Sequence, residues 1–413
     1  MAEQITDRRG VWRYSILFVC VYMVSYITRI SYSAIVSEMA AATGNAASTL
    51  GLALTGSAIT YGTGQILCGI VGDRVSPKRM IGVGFLIVTL MNLLIPFCKS
   101  SAPMIAIWCV NGFAQAFMWP PLVRMMTALF DESGYRLVST RVSYGSSLGT
   151  IVVYLAAPLL ISLLGWRSVF FSASAAGAVM LVLWLLLAPE LPPSASRERE
   201  AAAREVVGEK GRFAFFSPVV IGIMLAIAFQ GMLRDGVTTW MPSYISETFG
   251  MSRAASILTG VVLPLFAILC FWLAARLHER FFRNPVTCAT VFFGMATLSA
   301  LLLYLLDGRL AAVSVILSAL LTGCVHGVNL MLICMIPPAY RARGNVSTVS
   351  GVLNSCTYVG SAISTYGIAR IAEVGGWSLS LLAYLLISTV GTLICALCTR
   401  PWSKTRATLA EME

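Results

Sequence analysis

The sequence predicts an all-α membrane protein, with twelve transmembrane helices in two pseudo-symmetric six-helix bundles. Three observations lead there. Of 413 residues, 58% are hydrophobic and only 11% charged, and the mean hydropathy of +0.82 lies outside the range of soluble globular chains. Apolar stretches of about 20 residues, each long enough as a helix to cross ~30 Å of hydrocarbon, recur about twelve times. Lysine and arginine fall on alternate connections between them.

Taken in order, the first span (12–40) follows Arg8, Arg9 and Arg13; its apolar run is too long for a signal-peptide core and lacks a small-residue cleavage site, so it is read as a retained helix. The second (48–72) and third (79–98) flank a loop with Arg74, Lys78 and Arg79, and Lys99 lies on the opposite side. The fourth (102–128) and fifth (136–163) are joined through Arg124, Arg136 and Arg141, and Arg167 opens the sixth (166–188). A polar stretch, 189–216, carries five basic residues; its core "SREREAAAREVVGEK" reads as a short solvated helix in a linker. Beyond it run spans 217–246, 252–276, 284–306, 310–337, 344–372 and 375–400. Arg276, Arg280 and Arg283, then Arg341 and Arg343, then Arg400, Lys404 and Arg406 fall on the side of the linker, and Arg253 and Arg309 on the other. One side thus collects 22 basic residues and the other 4, which predicts cytoplasmic termini and a cytoplasmic linker. The net charge of +11 therefore follows membrane topology, and the bilayer rather than nucleic acid is the expected partner. The predicted division is 1–188, 189–216 and 217–413.

Three arginines remain inside predicted spans: Arg29, Arg234 and Arg370. Arg370 lies near an outer end and can snorkel. Arg29 and Arg234 are 205 residues apart, the same shift that relates the start of the first span to that of the seventh, so each takes the same place in its half. Such a repeat fits a secondary transporter with a midplane site. A charge near the bilayer centre costs at least ~2.5–3.5 kcal/mol, so an intramembrane arginine is a functional residue by default. Tyr22, Tyr26, Arg29 and Ser33 share one helix face, as do Gln230, Arg234 and Thr238. With no acid on the first span nearer than Glu38, the two guanidinium forks are expected to face a central cavity and take an oxyanion, above all phosphate. The alternative is that each arginine pairs with a buried acid. Asp235 is placed to do so for Arg234 as a counter-ion or proton carrier, although neighbouring helix residues point about 100° apart.

The loop "GIVGDRVSPKR" sets Gly69, Asp73 and Arg74 before Lys78 and Arg79. It resembles the signature loop of the major facilitator superfamily, in which the glycine allows close helix approach and the charged groups lock one of two states. Shifted by 205 it meets His278 and Glu279, so the second copy has lost its Asp-Arg pair. From about residue 14 to 395 the chain is similar to one branch of that superfamily, the organophosphate:phosphate antiporters, a group of glycerol-3-phosphate, hexose-phosphate and glucose-6-phosphate transporters. The likeness rests on "YITRISYSAI", "LGLALTGSAITYGTGQILCGIVGDR", "NGFAQAFMWPPLVRMM", "GMLRDGVTTWMPSYI" and "GCVHGVNLMLICMIPP". It implies the major facilitator fold, exchange of a phosphorylated metabolite for inorganic phosphate by alternating access without ATP, Arg29 and Arg234 as phosphate ligands, a bacterial inner membrane and a monomer. Departures bear on the substrate: Gln65 stands for a lysine, His326 for a tyrosine, Ser146 or a neighbour for a histidine, and Asp235 for an aromatic residue.

Periodicity adds His326 with Asn329, and Asn354, Tyr358, Ser361 and Thr365, either as cavity walls or as interhelical glue. Tyr26, Tyr61 and Gln230 complete the expected substrate-binding set. Gly112, Gly149, Gly323, Gly327 and Gly360 are expected at close helix crossings, and Trp119 and Trp240 as packing residues. Eleven scattered cysteines, of which Cys395 and Cys398 form the one CxxC, point to neither metal nor redox chemistry. No P-loop, GxSxG or paired carboxylates occur, so neither an enzyme nor a cofactor is expected. Two other functions compete with phosphate antiport. One is a proton-coupled symporter of a carboxylate or phosphonate, with Asp235 or His326 titrating. The other is a non-transporting sensor of sugar phosphate, against which the short termini and linker argue.

Overall fold

The computed structural model describes residues 5–45, 47–191, 217–251, 259 and 261–410. The linker helix expected within 196–210, and residues 252–258 and 260 of the eighth predicted span, lie outside them. Among the described residues all regular structure is helical. The helices are α1 (Arg8–Thr43), α2 (Ala47–Gly72), α3 (Pro77–Leu94), α4 (Ser101–Gln115), α5 (Trp119–Leu129), α6 (Glu132–Leu164), α7 (Arg167–Leu187), α8 (Pro218–Phe249), α9 (Val262–Arg280), α10 (Pro285–Leu305), α11 (Ala311–Asn329) and α12 (Val346–Ala410).

Ten described helical segments are long and apolar enough to cross a membrane. The longest, Val346–Leu409, contains Gly376 at φ 72°, ψ −177°, a left-handed break that serves two spans, as the sequence division at 372–375 expects. α2, rich in Gly, Ser and Thr, is long enough but not among the ten. The fourth predicted span is two helices rather than one: α4 ends at Gln115, and α5 begins at Trp119 with Pro120 and Pro121 in its first turn. Proline fits there because the first helical N–H groups have no intrahelical partner, whereas within a continuous helix it would break the hydrogen-bond ladder. The tenth span changes winding after Asn329, with a π-helical turn at Leu330–Cys334 and a 3₁₀ turn at Pro337–Tyr340. Side-chain caps set several starts: Asp7 accepts from Gly10 N at 2.7 Å, Asp131 from Gly134 N at 2.8 Å and Asn284 from Val286 N at 2.8 Å.

The chain divides into two compact units, Met1–Ala202 with Gly344–Ser355, and Ala203–Arg343 with Cys356–Glu413. The opening turns of α12 therefore belong with the first unit, a division that the sequence boundary at 217 does not contain. In the first unit α1 packs on α6 across Gly145 and Gly149, four residues apart. A Cβ on Gly145 would meet Val19 O at 2.7 Å, and one on Gly149 would meet Met23 O at 2.5 Å. This is close helix association of the small-xxx-small kind. On its other side α1 is pinned by polar side chains: Asn92 Nδ2 donates to Thr28 O (2.9 Å), Gln115 Nε2 to Thr28 Oγ1 (2.9 Å) and Ser31 Oγ to Asn92 Oδ1 (3.0 Å). These fix the rotation of α1, and with it the direction of the neighbouring Arg29. In the second unit α8 and α12 cross where Gly231 faces the Thr357 carbonyl and Gly360 faces the Ala228 carbonyl, with no room for a methyl group at either position.

Candidate functional site

Each unit carries one of the two arginines, in a distinct setting. In the first, the Arg29 guanidinium lies 4.3 Å from the centroid of the Tyr61 ring and 5.5 Å from that of Tyr26. The cation is held between α1 and α2 by π-faces, an arrangement worth up to about 2 kcal/mol when desolvated. Tyr26 in turn packs on Tyr22 (5.2 Å), and Tyr22 on Trp119 at the start of α5 (4.9 Å), so the aromatic column runs from the site into the α4–α5 break. Asn354, in the part of α12 that belongs to this unit, donates to Tyr61 OH at 3.5 Å. Gln65, one turn after Tyr61, is fully buried, and neither its amide oxygen nor its nitrogen has a hydrogen-bond partner among the described residues. An unsatisfied buried polar group costs about 1–3 kcal/mol. Ser146 is buried and donates to the Ser143 carbonyl at 2.7 Å.

In the second unit, Arg234 is engaged by its neighbour. Its Nε donates to Asp235 Oδ1 at 2.6 Å and its Nη2 to Asp235 Oδ2 at 2.9 Å. Neighbouring residues on a helix diverge, but the long arginine side chain folds back along α8 to close a two-pronged ion pair. The same guanidinium lies 5.4 Å from the Tyr358 ring centroid, and Ser361 Oγ donates to Asp235 Oδ2 at 2.5 Å, so α12 contributes both an aromatic face and a hydroxyl. Gln230, one turn earlier, is fully buried: its Nε2 donates to Val325 O and its Oε1 accepts from Thr357 Oγ1, both at 3.4 Å. His326 lies edge-on to Phe271 (5.5 Å), with Nδ1 2.8 Å from Thr322 O; Asn329 is half-buried at the end of α11. Thr238 turns to its own helix, donating to Arg234 O at 2.6 Å, and Trp240 Nε1 donates to Thr365 O at 3.0 Å. Arg370 pairs with Glu373 at 2.9 Å, one turn on.

The signature loop forms a third cluster, within the first unit. Asp73 is buried and accepts from the backbone N–H groups of Ser347 (2.8 Å) and Thr348 (2.9 Å) and from Thr348 Oγ1 (2.5 Å), the free donors at the start of α12. Arg124 Nη1 donates to Gly72 O (2.6 Å) and Val75 O (3.1 Å), which holds the loop from α5. Gly69 faces Ser347 O, Thr348 and Gly351, and α2 approaches α12 there through glycine on both sides. Arg74 and Arg79 are exposed, and Lys78 reaches Glu190 at 3.8 Å. Sequence reasoning did not single out Ser347 and Thr348, nor the Thr28–Asn92–Gln115 network. Their signals are faint: "GNVSTVS" is a helix-start pattern, and Asn92 and Gln115 are lone amides in apolar runs.

Two helical units, each setting an arginine and several polar side chains into apolar helices, define a membrane transporter rather than an enzyme. Residues 18–365 match the Major Facilitator Superfamily, and the chain belongs to that family. It is 25% identical to the glycerol-3-phosphate transporter of Bacillus subtilis (strain 168) over 79% of this chain and 80% of that protein. It is also 25% identical to the membrane sensor protein UhpC of Salmonella typhimurium over 91% of this chain and 90% of that one. Among solved structures, the human organic anion transporter MFSD10 superposes with a TM-score of 0.74 at 14% identity, covering 93% of this chain and 99% of that one, a likeness of fold.

Proposed function

We propose that the protein exchanges an organophosphate, or a phosphate-like organic anion, for inorganic phosphate by alternating access. It does so as a monomer in a bacterial inner membrane, with both termini in the cytoplasm. The observation that carries this reading is the repeated intramembrane arginine: Arg29 against Tyr26 and Tyr61 in one unit, Arg234 against Tyr358 in the other. Both are planar forks suited to two phosphoryl oxygens at once. Tyr26, Tyr61, Gln65, Gln230, His326, Asn329, Asn354 and Tyr358 supply hydrogen bonds and stacking for the rest of the substrate. The orphaned amide of Gln65 supports that assignment, because a ligand oxygen or hydroxyl would satisfy it. Gly69, Asp73, Arg74, Lys78 and Arg79 form the loop that switches between states. The relative named for glycerol-3-phosphate transport supports the substrate class.

A second reading, proton-coupled uptake of an organic anion, has its own observation in the Arg234–Asp235 pair, since an acid inside the span provides a place for a proton. Liposomes loaded with inorganic phosphate separate the readings. Saturable uptake of radiolabelled phosphate without a proton gradient, abolished by Arg29→Lys, is the expected result. Uptake that appears only with a gradient would favour the symporter. Specific phosphate binding without transport under either condition would favour a sensor, the role named for the UhpC relatives.

A further inference from the structure

The second unit's arginine meets an anion of its own. The Asp235 carboxylate closes on both prongs of Arg234, at 2.6 and 2.9 Å, in the geometry that two phosphoryl oxygens would take. The pair is not sealed: the Asp235 side chain is 32% exposed and that of Arg234 12%. We propose that Asp235 is an internal competitor for the Arg234 fork, and that an anion binding at Arg234 displaces it as a carboxylic acid, so that one proton is taken up with each anion bound. The inference rests on Arg234 being a ligand of the anion.

Two anions cannot both take the Nε–Nη2 edge that Asp235 occupies, so an anion that binds bidentately on that edge must displace it. A carboxylate pushed off its cation inside an apolar span faces a desolvation penalty of several kcal/mol, which protonation removes. The proton comes from solution and adds to an Asp235 oxygen; one ion pair breaks, another forms, no electrons move, and release of the anion reverses the step. Ser361 suits both states, because its hydroxyl donates to the carboxylate at 2.5 Å and its oxygen can accept the acid proton. Around Asp235 stand Arg234 on α8 and His326 on α11, which lies within electrostatic reach of both members of the pair; on α12, Tyr358 faces the Arg234 guanidinium and Thr357 donates to Gln230. Beyond the Gly376 break, the edge of the Tyr384 ring reaches Gly236, next to Asp235. Of these groups, Asp235 is the one whose ion pair the ligand breaks. Because every loaded form carries the proton, exchange of one anion for another is proton-neutral, whereas net uptake is proton-coupled. One site thus performs both activities.

The test uses the purified full-length chain in weakly buffered detergent solution with a pH-indicator dye. Inorganic phosphate is added from stock at the same pH, where it is dianionic, and protons taken up are counted per phosphate bound. The wild type is expected to take up one proton more than Asp235→Asn. Asp235→Ser is measured beside it, so that a folding failure in one leaves the other to decide. Affinity follows: wild-type Kd for phosphate rises about tenfold more per pH unit than that of the variants, and the variants bind phosphate more tightly at high pH because the competitor is gone. Equal proton counts in wild type and variants overturn the proposal. So does a proton lost in His326→Gln but kept in the Asp235 variants. Phosphate binding with an unchanged count removes this inference alone; no phosphate binding in any of the proteins removes the phosphate reading with it.

Discussion

Arg29 and Gln65 are linked through Tyr61: the guanidinium stacks on its ring, and the amide lies one turn further along the same helix. A lysine in place of Gln65 would add a second cation to this part of the first unit. Gln65→Lys is therefore expected to raise the uptake of more highly charged phosphates relative to singly charged ones, and competition against labelled phosphate measures it. Unchanged relative uptake would mean that Gln65 does not meet the substrate. Both arginines stand out in the sequence because a charge inside an apolar run has few structural uses. What each arginine touches does not stand out in the same way. The Arg234–Asp235 fork depends on side-chain length overcoming the divergence of adjacent helix positions. The Asp73 contacts join residues 274 and 275 positions apart, which no local pattern encodes.

Helices were legible from hydropathy and loop charge, and their interruptions less so. The pair Pro120–Pro121 announces a helix start, yet the apolar run continues through it, so composition alone merges α4 with α5. The α8–α12 crossing in the second unit is held by steric fit. At Gly360 a Cβ would fall on the Ala228 carbonyl, whereas at Gly367, two turns on, a Cβ meets nothing within 4 Å. Gly360→Ala is expected to cost about 1–3 kcal/mol by overpacking, seen as a lower thermal-unfolding midpoint in detergent. Gly367→Ala, by contrast, is expected to hold or raise the midpoint, since alanine is favoured over glycine within a helix. Equal shifts in the two variants would show that helix propensity, not the close crossing, sets the effect.

At the scale of the whole molecule, the proposed alternating access requires two arrangements, and on that proposal the signature loop would give one of them a pH dependence. Burial pushes the Asp73 carboxyl up to about 6, against the opposing pull of its hydrogen bonds from Thr348 and Ser347 and of the Arg124 charge. In an arrangement where the start of α12 leaves it, Asp73 meets water and titrates near the ordinary ~3.9. Between these two values the buried arrangement binds more protons. The contribution of this group to that arrangement is therefore full below about pH 4 and is lost as the pH rises through about 6. Acidification across that window is expected to shift the balance toward the buried arrangement by up to about tenfold per pH unit and to slow phosphate exchange. Asp73→Asn removes the titrating group, so its turnover should differ from that of the wild type while its affinity for phosphate is kept. The comparison cancels the ionisation of phosphate itself, which is common to both proteins. Parallel pH–rate profiles for the two proteins, or an Asn variant that loses affinity at unaltered turnover, would show that Asp73 does not set the balance between states.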